Sequence, residues 1–255
     1  MNLAAALLPL IPGGQGVIAF VGAGGKTSAL FCLARALEGQ GRRILLTTTT
    51  HLLDPREEPS RPVFDLVLRP DLEAPLGLVS LPEARAGLTV LLAREAGPPG
   101  KMKGIHPSWI PALKTHWDLI LVEADGSKRL PVKAPAPHEP VIPAGTDLVV
   151  AAVGLDCLGR PMDGETVHRP ERFSDITGCA TGDPILWEHL VALARHPEGL
   201  FKQAPGTRAL LFNKADRARS IPTSAQLADL PANRILVATL EPSEAVLDIQ
   251  QGRRP

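Results

Sequence analysis

The sequence has no excess of charge of either sign, because Lys and Arg together number 27 and so do Asp and Glu. A protein that binds nucleic acid or an anionic membrane through its overall field needs a positive surplus. We therefore expect neither nucleic acid nor a membrane as a partner. Any anion must be bound by a local arrangement of residues.

Cysteine is also scarce. The three cysteines, Cys32, Cys157 and Cys179, lie far apart and form no C-x-x-C pair of the kind found in zinc and redox sites. This pattern favours a reducing cytoplasm. Cys32 falls within an apolar helical pattern and is interpreted as a core residue, whereas the other two lie in loops, where a reactive thiol remains an alternative.

Long hydrophobic runs are absent as well. The N-terminal segment MNLAAALLPLIP is apolar, but no basic region precedes it and it is far shorter than the roughly 20 residues that span a bilayer. It is predicted to form a short helix packed on the domain. The sequence therefore indicates a cytoplasmic protein.

Apolar residues make up 44% of the chain, which is enough to build a core. Several strand-length runs are continuously apolar, a pattern typical of parallel strands that helices cover on both faces. Helical patterns at 26–37 and 183–195 lie between such runs. We predict an α/β protein with a three-layer α/β/α fold and a mostly parallel sheet. Its strands are predicted at residues 17–21, 43–48, 63–68, 88–92, 118–123, 147–153, 208–212 and 234–239.

The 26 prolines concentrate in three segments, at 97–107, 130–143 and 157–172. We interpret these segments as ordered loops, since no low-complexity block divides the chain. Residues 1–255 are predicted to form a single nucleotide-binding domain, whose long loops are expected to carry function.

A glycine cluster follows the first predicted strand, in the order V-I-A-F-V-G-A-G-G-K-T-S. Backbone N–H groups in such a turn, together with the N-terminus of the next helix, bind phosphate. The lysine neutralises terminal phosphates, and the hydroxyl that follows it can bind Mg²⁺. The predicted phosphate-binding residues are Gly22, Ala23, Gly24, Gly25, Lys26, Thr27 and Ser28.

This pattern, G-x-x-G-K-T, is shorter than the usual G-x-x-x-x-G-K-[ST]. The alternative is a tight turn in which the glycines only permit a positive φ angle. That alternative leaves the adjacent Lys26 and Thr27 unexplained, so we favour a short P-loop and a P-loop NTPase-like fold.

A second group of polar residues ends the predicted strand at 118–123. Glu123 and Asp125 lie where a nucleotide-binding sheet places its metal-linked acid, beyond the carboxyl ends of the strands. Together with Lys26 they are the predicted catalytic residues, and together with Thr27 the predicted Mg²⁺ ligands. The alternative is an acidic turn with Asp125-Gly126 at its corner.

A third group, N-K-A-D at 213–216, follows another apolar strand. In this pattern Asp216 would accept hydrogen bonds from the guanine N1–H and amino group, Lys214 would pack on the base, and Asn213 would tie loops together. This favours GTP over ATP. The tetrapeptide alone is also compatible with a surface turn, and the order of the three motifs supports the base-binding interpretation.

Other polar segments are less specific. Thr49, Thr50 and His51 leave the second strand and could sense the γ-phosphate, and Lys128 and Arg129 could bind an anionic substrate. For the remaining charged residues in the proline-rich loops we expect solvated positions. These are Lys101, Lys103, His106, Lys133, His138, Glu139, His168, Arg169 and Glu171.

The sequence resembles the YqeC family in five motifs and in their order. These are G-A-G-G-K-T-S, T-T-T-T-H-L, E-A-D-G-S-K-R-L-P with H-E-P-V-I-P, V-H-R-P-E and F-N-K-A-D. The resemblance extends from about Val17 to Asp216, and its most specific segment is Glu123 to Pro143. It implies a P-loop nucleotide-binding protein that is an accessory factor for selenium-dependent molybdenum hydroxylases. The implied partners are such a hydroxylase or its cofactor-maturation proteins.

We therefore predict a Mg²⁺-dependent nucleoside triphosphatase of GTPase-like type, whose cycle drives a cofactor-maturation step. One alternative is an ATP-dependent ligase or small-molecule kinase, because the loop also resembles the short P-loop of Mur-type ligases. The N-K-x-D motif and the lack of a recognisable second ligase domain argue against it. The other alternative is a nucleotide-gated binding module without hydrolysis.

Overall fold

The computed structural model describes residues 2–54, 65–73, 84–87, 89–94, 96–97, 100–241 and 244–252. The helices are α1 (Leu3–Leu7), α2 (Lys26–Leu37), α3 (Trp109–Leu113), α4 (Pro170–Thr177), α5 (Trp187–Arg195) and α6 (Ser224–Leu227). The strands are β1 (Gly16–Gly22), β2 (Ile44–Thr48), β3 (His51–Leu53), β4 (Asp65–Leu68), β5 (Thr89–Ala93), β6 (Ala96–Gly97), β7 (Lys101–Lys103), β8 (Leu119–Glu123), β9 (Val132–Lys133), β10 (Leu148–Gly154), β11 (Val167–His168), β12 (Thr207–Asn213), β13 (Arg234–Thr239) and β14 (Ala245–Gln250).

Nine strands form the central sheet, in the order β14-β13-β12-β10-β1-β8-β2-β5-β4. Every neighbouring pair is parallel except β13 and β14, which are antiparallel. The predicted α/β fold with a mostly parallel sheet is therefore confirmed. Because β1 lies between β8 and β10, the carboxyl ends of all three strands meet at one edge.

The central strands are buried on both faces. In β1, Phe20 packs into a cluster with residues of α1 and α2, whereas Val21 packs on the opposite face with residues of α4 and α5. Successive side chains of one apolar strand thus pack into two different hydrophobic clusters, as is expected for a strand covered by helices on both faces. The result is a sheet between two helical layers.

All eight predicted strands are present, with ends that differ by a few residues. Residues 63, 64 and 88 of two of them lie outside the described part of the chain. The predicted helices at the N-terminus and at 26–37 are also confirmed. The sequence prediction did not include β14 or the short strands of the two minor sheets.

The helix predicted at 183–195 begins later, at Trp187. The residues before it are extended, because Met162 N–H donates to Asp183 O at 2.8 Å and Ile185 N–H donates to Arg160 O at 2.9 Å. These bonds tie the segment to the loop after β10. Pairing with a distant segment therefore overrides the local helical pattern.

Two of the proline-rich segments are paired with each other. In the segment 130–143, β9 runs parallel to β11 of the segment 157–172, with Val132 opposite Val167 and Lys133 opposite His168. The third segment contains β7, which pairs with β3 and β6 in a small antiparallel sheet. At 12 residues, α2 is the longest helix of the described ranges, and none of these helices is long and apolar enough to cross a membrane.

The buried position of Phe20 gives a test of this fold. Its ring has no exposed surface, so Phe20→Ala is expected to lower the free energy of unfolding by about 3–5 kcal/mol. Leu247 on the edge strand β14 is 54% exposed, and Leu247→Ala is expected to cost less than about 1 kcal/mol. Urea titrations of both variants measure the difference, and equal losses would contradict this packing.

Candidate functional site

The glycine cluster forms a tight connection from β1 to α2. Gly22, Gly24 and Gly25 have φ angles of 87°, 74° and 136°, which side chains rarely permit. A Cβ atom on Gly24 would collide with the backbone nitrogen of Gly154 and lie 2.6 Å from the carbonyl oxygen of Pro131. The loop therefore packs backbone to backbone against the last residue of β10 and against the segment just before β9.

Three loop amides before α2 are already hydrogen-bonded within the protein. Gly22 N–H donates to Asp125 Oδ2 at 3.0 Å, Ala23 N–H to Ala152 O at 2.9 Å, and Gly24 N–H to Leu130 O at 3.0 Å. The first-turn amides of α2, from Lys26 onwards, have no acceptor within the helix, and Gly25 supplies no side-chain cap. Donors for an anion are thus offered by the start of α2, where the helix dipole also favours negative charge.

Lys26 is only 3% exposed and is surrounded by acceptors. Its Nζ donates to Gly22 O at 2.7 Å and to Ser127 Oγ at 3.1 Å. The same atom lies 3.2 Å from Asp125 Oδ1 and 3.9 Å from Glu123 Oε1. The structure thus brings the lysine of the glycine loop together with both acids predicted after β8.

Thr27 is bound to the same cluster, because its Oγ1 donates to Glu123 Oε2 at 2.6 Å. The predicted Mg²⁺ ligands Thr27, Glu123 and Asp125 therefore lie around Lys26. Asp125 Oδ1 is buried and accepts no hydrogen bond, although it lies beside Lys26. Hydroxyl and carboxylate oxygens are donors that suit Mg²⁺.

Within the described ranges, no three His, Cys, Asp or Glu side chains form a preformed metal-binding group. Two carboxylates and one hydroxyl suit a cation that takes its remaining ligands from water and phosphate, which is the usual arrangement for Mg²⁺. The donor set around Lys26 therefore fits Mg²⁺ brought with a phosphorylated ligand better than a permanently held ion.

Behind Asp125 lies a chain of alternating charges. Lys133 Nζ lies 3.0 Å from Asp125 Oδ2 and donates to Glu139 Oε2 at 2.8 Å. Arg169 donates to both carboxylate oxygens of Glu139, at 2.7 and 3.0 Å. Lys133 is 0% and Glu139 7% exposed, so the expected solvated positions are wrong for these two residues. Buried charges of this kind persist only when paired.

These contacts fix charge states next to the cluster. Burial alone would raise the pKa of Glu139, but the hydrogen bond and positive charge of Lys133, together with a hydrogen bond from Arg169, lower this pKa from 4.5 to about 2. Burial, with the neighbouring Arg169 and Lys133, lowers the pKa of His168 to about 4. At neutral pH Glu139 is therefore charged, whereas His168 is neutral.

The N-K-A-D segment lies directly beside the glycine loop. Asn213 Nδ2 donates to Gly24 O at 2.9 Å, and Asn213 Oδ1 accepts from Leu240 N–H at 3.2 Å. The side chain of Asn213 also occupies the space where a Cβ on Gly25 would point. One buried amide thus links the glycine loop to the ends of β12 and β13.

The other two residues of this segment are more accessible. Lys214 Nζ pairs with Asp156 Oδ2 at 2.9 Å, and the exposed Asp216 accepts a hydrogen bond from Thr239 Oγ1 at 3.2 Å. Ser28 Oγ donates to Glu241 Oε1 at 2.8 Å across the neighbouring surface. A cleft here is lined by Gly25, Ser28, Asn213, Lys214, Arg217 and Glu241.

The threonine segment also reaches the acidic strand end. Thr48 Oγ1 and Thr49 N–H both donate to Glu123 O, at 2.8 and 3.1 Å, and Thr49 Oγ1 donates to Val141 O at 2.9 Å. His51 instead enters β3, opposite Lys103 in β7. The threonines therefore connect Glu123 with the segment 130–143. A segment that senses a ligand bound at Glu123 would need such a connection.

The cysteines lie in apolar surroundings. Cys157 is fully buried, and burial with the nearby Asp156 raises the pKa of its thiol to about 12. Burial and Asp183 also raise the pKa of Cys179. A raised pKa keeps a thiol protonated and unreactive at neutral pH, which argues against the reactive-thiol alternative for both residues.

Two further acids at this edge were missed by the sequence prediction. Asp156 follows β10 and holds Lys214, and Glu241 follows β13 and holds Ser28. The rule that identified Glu123 and Asp125, a carboxylate just beyond the carboxyl end of a parallel strand, applies equally to these positions. Both are adjacent to predicted strands, so this signal was available.

Comparison with known proteins identifies relatives of the chain. A family model described as YqeC protein matches residues 18–171. "Uncharacterized protein YqeC" of Escherichia coli (strain K12) is 41% identical over 199 residues, which are 77% of this chain and 74% of that protein. No solved structure matches. The family model covers the glycine loop, both acids and the Lys133 network, whereas the N-K-A-D segment lies beyond it.

The packing of Gly24 leads to a prediction about the loop. Gly24→Ala forces a side chain against Gly154 at a φ of 74°, and we expect it to lower the free energy of unfolding by about 2 kcal/mol or more. Gly126→Ala is the matched control, because a Cβ there meets nothing within 4 Å. Chemical denaturation compares the two variants, and a Gly24→Ala protein as stable as the control would refute the close approach.

The low pKa of Glu139 predicts a specific pH dependence. Its stabilising contribution, at most about 3 kcal/mol, should be complete above pH 4.5 and disappear as the pH falls toward about 2. The difference in unfolding free energy between the parent and Glu139→Gln should therefore shrink over that window. Urea titrations at a series of pH values measure it.

Glu171→Gln serves as the control, because Glu171 is an exposed glutamate in the first turn of α4. Its difference from the parent should be small throughout. A parent–Glu139→Gln difference that stayed constant with pH would show that the Glu139 carboxylate gains nothing from Lys133 and Arg169.

Proposed function

Since the chain belongs to the YqeC family, we propose that it is a Mg²⁺-dependent nucleotide-binding protein that prefers GTP to ATP and hydrolyses it slowly. We further propose that its nucleotide cycle serves maturation of the cofactor of a selenium-dependent molybdenum hydroxylase. The nucleotide part is supported by the geometry around α2, and the accessory role is supported by the family resemblance.

One observation supports phosphate binding above the others. Lys26 and Thr27, at the start of α2, each contact an acid from the end of β8, through the Lys26–Asp125 and Thr27–Glu123 contacts. A merely tight turn would have no need of a lysine and a hydroxyl aimed at two buried carboxylates. Phosphoryl-transfer sites need these groups together, since they must neutralise phosphate charge and hold the metal.

Each residue of the cluster has a role in this proposal. Lys26 carries three N–H donors on a flexible stem, so its Nζ can turn from Gly22 O and Ser127 Oγ to phosphate oxygens. Thr27, Glu123 and Asp125 would hold Mg²⁺, which bridges phosphate oxygens and neutralises their charge when bound. Glu123, 6% exposed, can also accept a hydrogen bond from an attacking water.

The preference for GTP rests on the cleft beside the glycine loop. Asn213, the first residue of N-K-A-D, donates a hydrogen bond to Gly24 O. This bond fixes the distance between the N-K-A-D segment, which would bind the base, and the glycine loop, which would bind the phosphates. Asp216 is exposed, its Oδ1 accepts from Thr239 Oγ1, and its Oδ2 lies 3.6 Å from Arg217 Nε. A carboxylate in this position can accept two hydrogen bonds from guanine, a donor pattern that adenine lacks.

The guanine preference is tested with Asp216→Asn. The substitution replaces an acceptor with a donor, so GTP affinity should fall by about 10-fold to 100-fold, whereas affinity for xanthosine triphosphate should rise. Isothermal titration with Mg²⁺ measures both nucleotides and ATP. Asp175→Asn, which changes an exposed aspartate of α4, should leave all three affinities unchanged.

A parent protein that prefers ATP, or an Asp216→Asn protein with parental GTP affinity, would eliminate the guanine proposal. Release of phosphate over time then distinguishes a hydrolase from a nucleotide-gated binding module. A phosphorylated product formed from an added substrate would instead favour a kinase or ligase.

A further inference from the structure

We propose that Lys133 is a positioning residue for Asp125, which it holds so that Oδ1 of this carboxylate is the atom presented to a metal-bound nucleotide. The inference rests on the nucleotide-binding function proposed above. It assigns a role to the proline-rich segment 130–143, which lies outside the glycine loop, the acidic strand end and the N-K-A-D segment.

The two oxygens of Asp125 have different surroundings. Oδ2 accepts from Gly22 N–H at 3.0 Å and lies 3.0 Å from Lys133 Nζ. Oδ1 accepts no hydrogen bond and faces Lys26 Nζ at 3.2 Å. One oxygen is thus held by a hydrogen bond and an ion pair on the protein side, and the other faces the lysine of the phosphate loop. Orienting a ligand through its second oxygen is how residues behind a metal site usually act.

Lys133 holds Asp125 independently of Lys26. Three cations, Lys26, Lys133 and Arg169, lie among three carboxylates, Glu123, Asp125 and Glu139. When Lys26 turns to a phosphate, Asp125 loses one of its two cations. Lys133 and the Gly22 amide still contact Oδ2, so the orientation of this carboxylate stays the same while Lys26 is engaged elsewhere.

Lys133 cannot easily leave this position. Its side chain has no exposed surface, and its Nζ also donates to Gly126 O at 2.7 Å and to Glu139 Oε2 at 2.8 Å. Glu139 is in turn held by Arg169, and the backbone of Lys133 lies in β9, paired with β11. The position of Asp125 therefore depends on two proline-rich segments that are distant in sequence.

The test separates metal-dependent from metal-independent nucleotide binding. Affinity for GTP is measured by isothermal titration, once with Mg²⁺ and once with EDTA. The measured quantity is the affinity with Mg²⁺ divided by the affinity in EDTA. For Lys133→Met we expect the Mg²⁺-dependent ratio to fall by about 10-fold to 100-fold. Affinity in EDTA should stay close to the parental value, since Lys26 and the start of α2 are intact.

A second variant keeps the test decisive if Lys133→Met does not fold. Lys133→Met alone leaves Asp125 and Glu139 without their shared cation, so the double variant Lys133→Met/Glu139→Gln removes one charge of each sign. Arg169, whose side chain is 26% exposed, can then turn to solvent. Thermal unfolding followed by circular dichroism identifies which of the two is folded, and the double variant should show the same lowered ratio.

Lys202→Met is the matched control. Lys202 is another buried lysine, 5% exposed, that supports the same segment by donating to the carbonyl oxygens of Ala136 and Pro137 at 3.2 and 2.9 Å. This variant should keep the parental ratio. If it lost as much as Lys133→Met, general integrity of the segment would explain the effect, and the inference would be overturned.

The remaining outcomes are also decisive. Parental ratios in both Lys133 variants, or equal losses with Mg²⁺ and with EDTA, would overturn the positioning role while leaving nucleotide binding in place. A parent protein that binds neither GTP nor ATP would overturn the proposed function and this inference with it.

Discussion

The carboxylate of Asp125, shared by two buried lysines, is the interaction on which the rest of the site depends. Lys26 approaches it from the glycine loop and Lys133 from the proline-rich segment 130–143, and the amide of Gly22 binds it as well. A buried charge is tolerated only with a partner. The glycine loop, the end of β8 and the segment 130–143 therefore cannot separate without leaving a buried charge unpaired or exposing it to water. The loop, the end of β8 and the segment 130–143 are therefore held in one arrangement by electrostatics as much as by apolar packing.

The order of strands converts distant motifs into neighbours. The register of β1 with β8 sets Phe20 opposite Glu123, and the register of β2 with β8 sets Thr48 opposite the same residue. The threonine segment and the glycine loop consequently flank one acid. On the other side, β10 and β12 bring Asp156 and Asn213 to the same edge. Because parallel strands all end at one edge of the sheet, polar residues just beyond each strand converge without any further constraint.

Much of this arrangement could be predicted from local patterns, and the exceptions share a cause. Strands buried on both faces are continuously apolar, so β1, β8 and β10 were recognisable, and a lysine and a threonine after glycines indicated where α2 begins. By contrast, the sequence A-V-L-D-I-Q of β14 forms a partly exposed antiparallel edge and has no comparable run. Burial of Lys133 and the late start of α5 were not predictable in the same way, because partners distant in sequence decide both. The most specific segment of the family resemblance, Glu123 to Pro143, nevertheless contains both Lys133 and Glu139.

The side chain of Asn213 has a consequence for how the molecule assembles. It joins the amide of Leu240 to the carbonyl of Gly24, which lies 189 residues before Asn213 in the sequence. The strands on either side of β1, β8 and β10, likewise come much later in the sequence, so the supports of the glycine loop are all distant from it along the chain. Contacts between residues so far apart in sequence form slowly, because a long loop must close before they contribute. Until β13 has joined the sheet and placed Leu240, the glycine loop therefore lacks the amide bridge that fixes it, so the loop becomes rigid only at a late stage of folding.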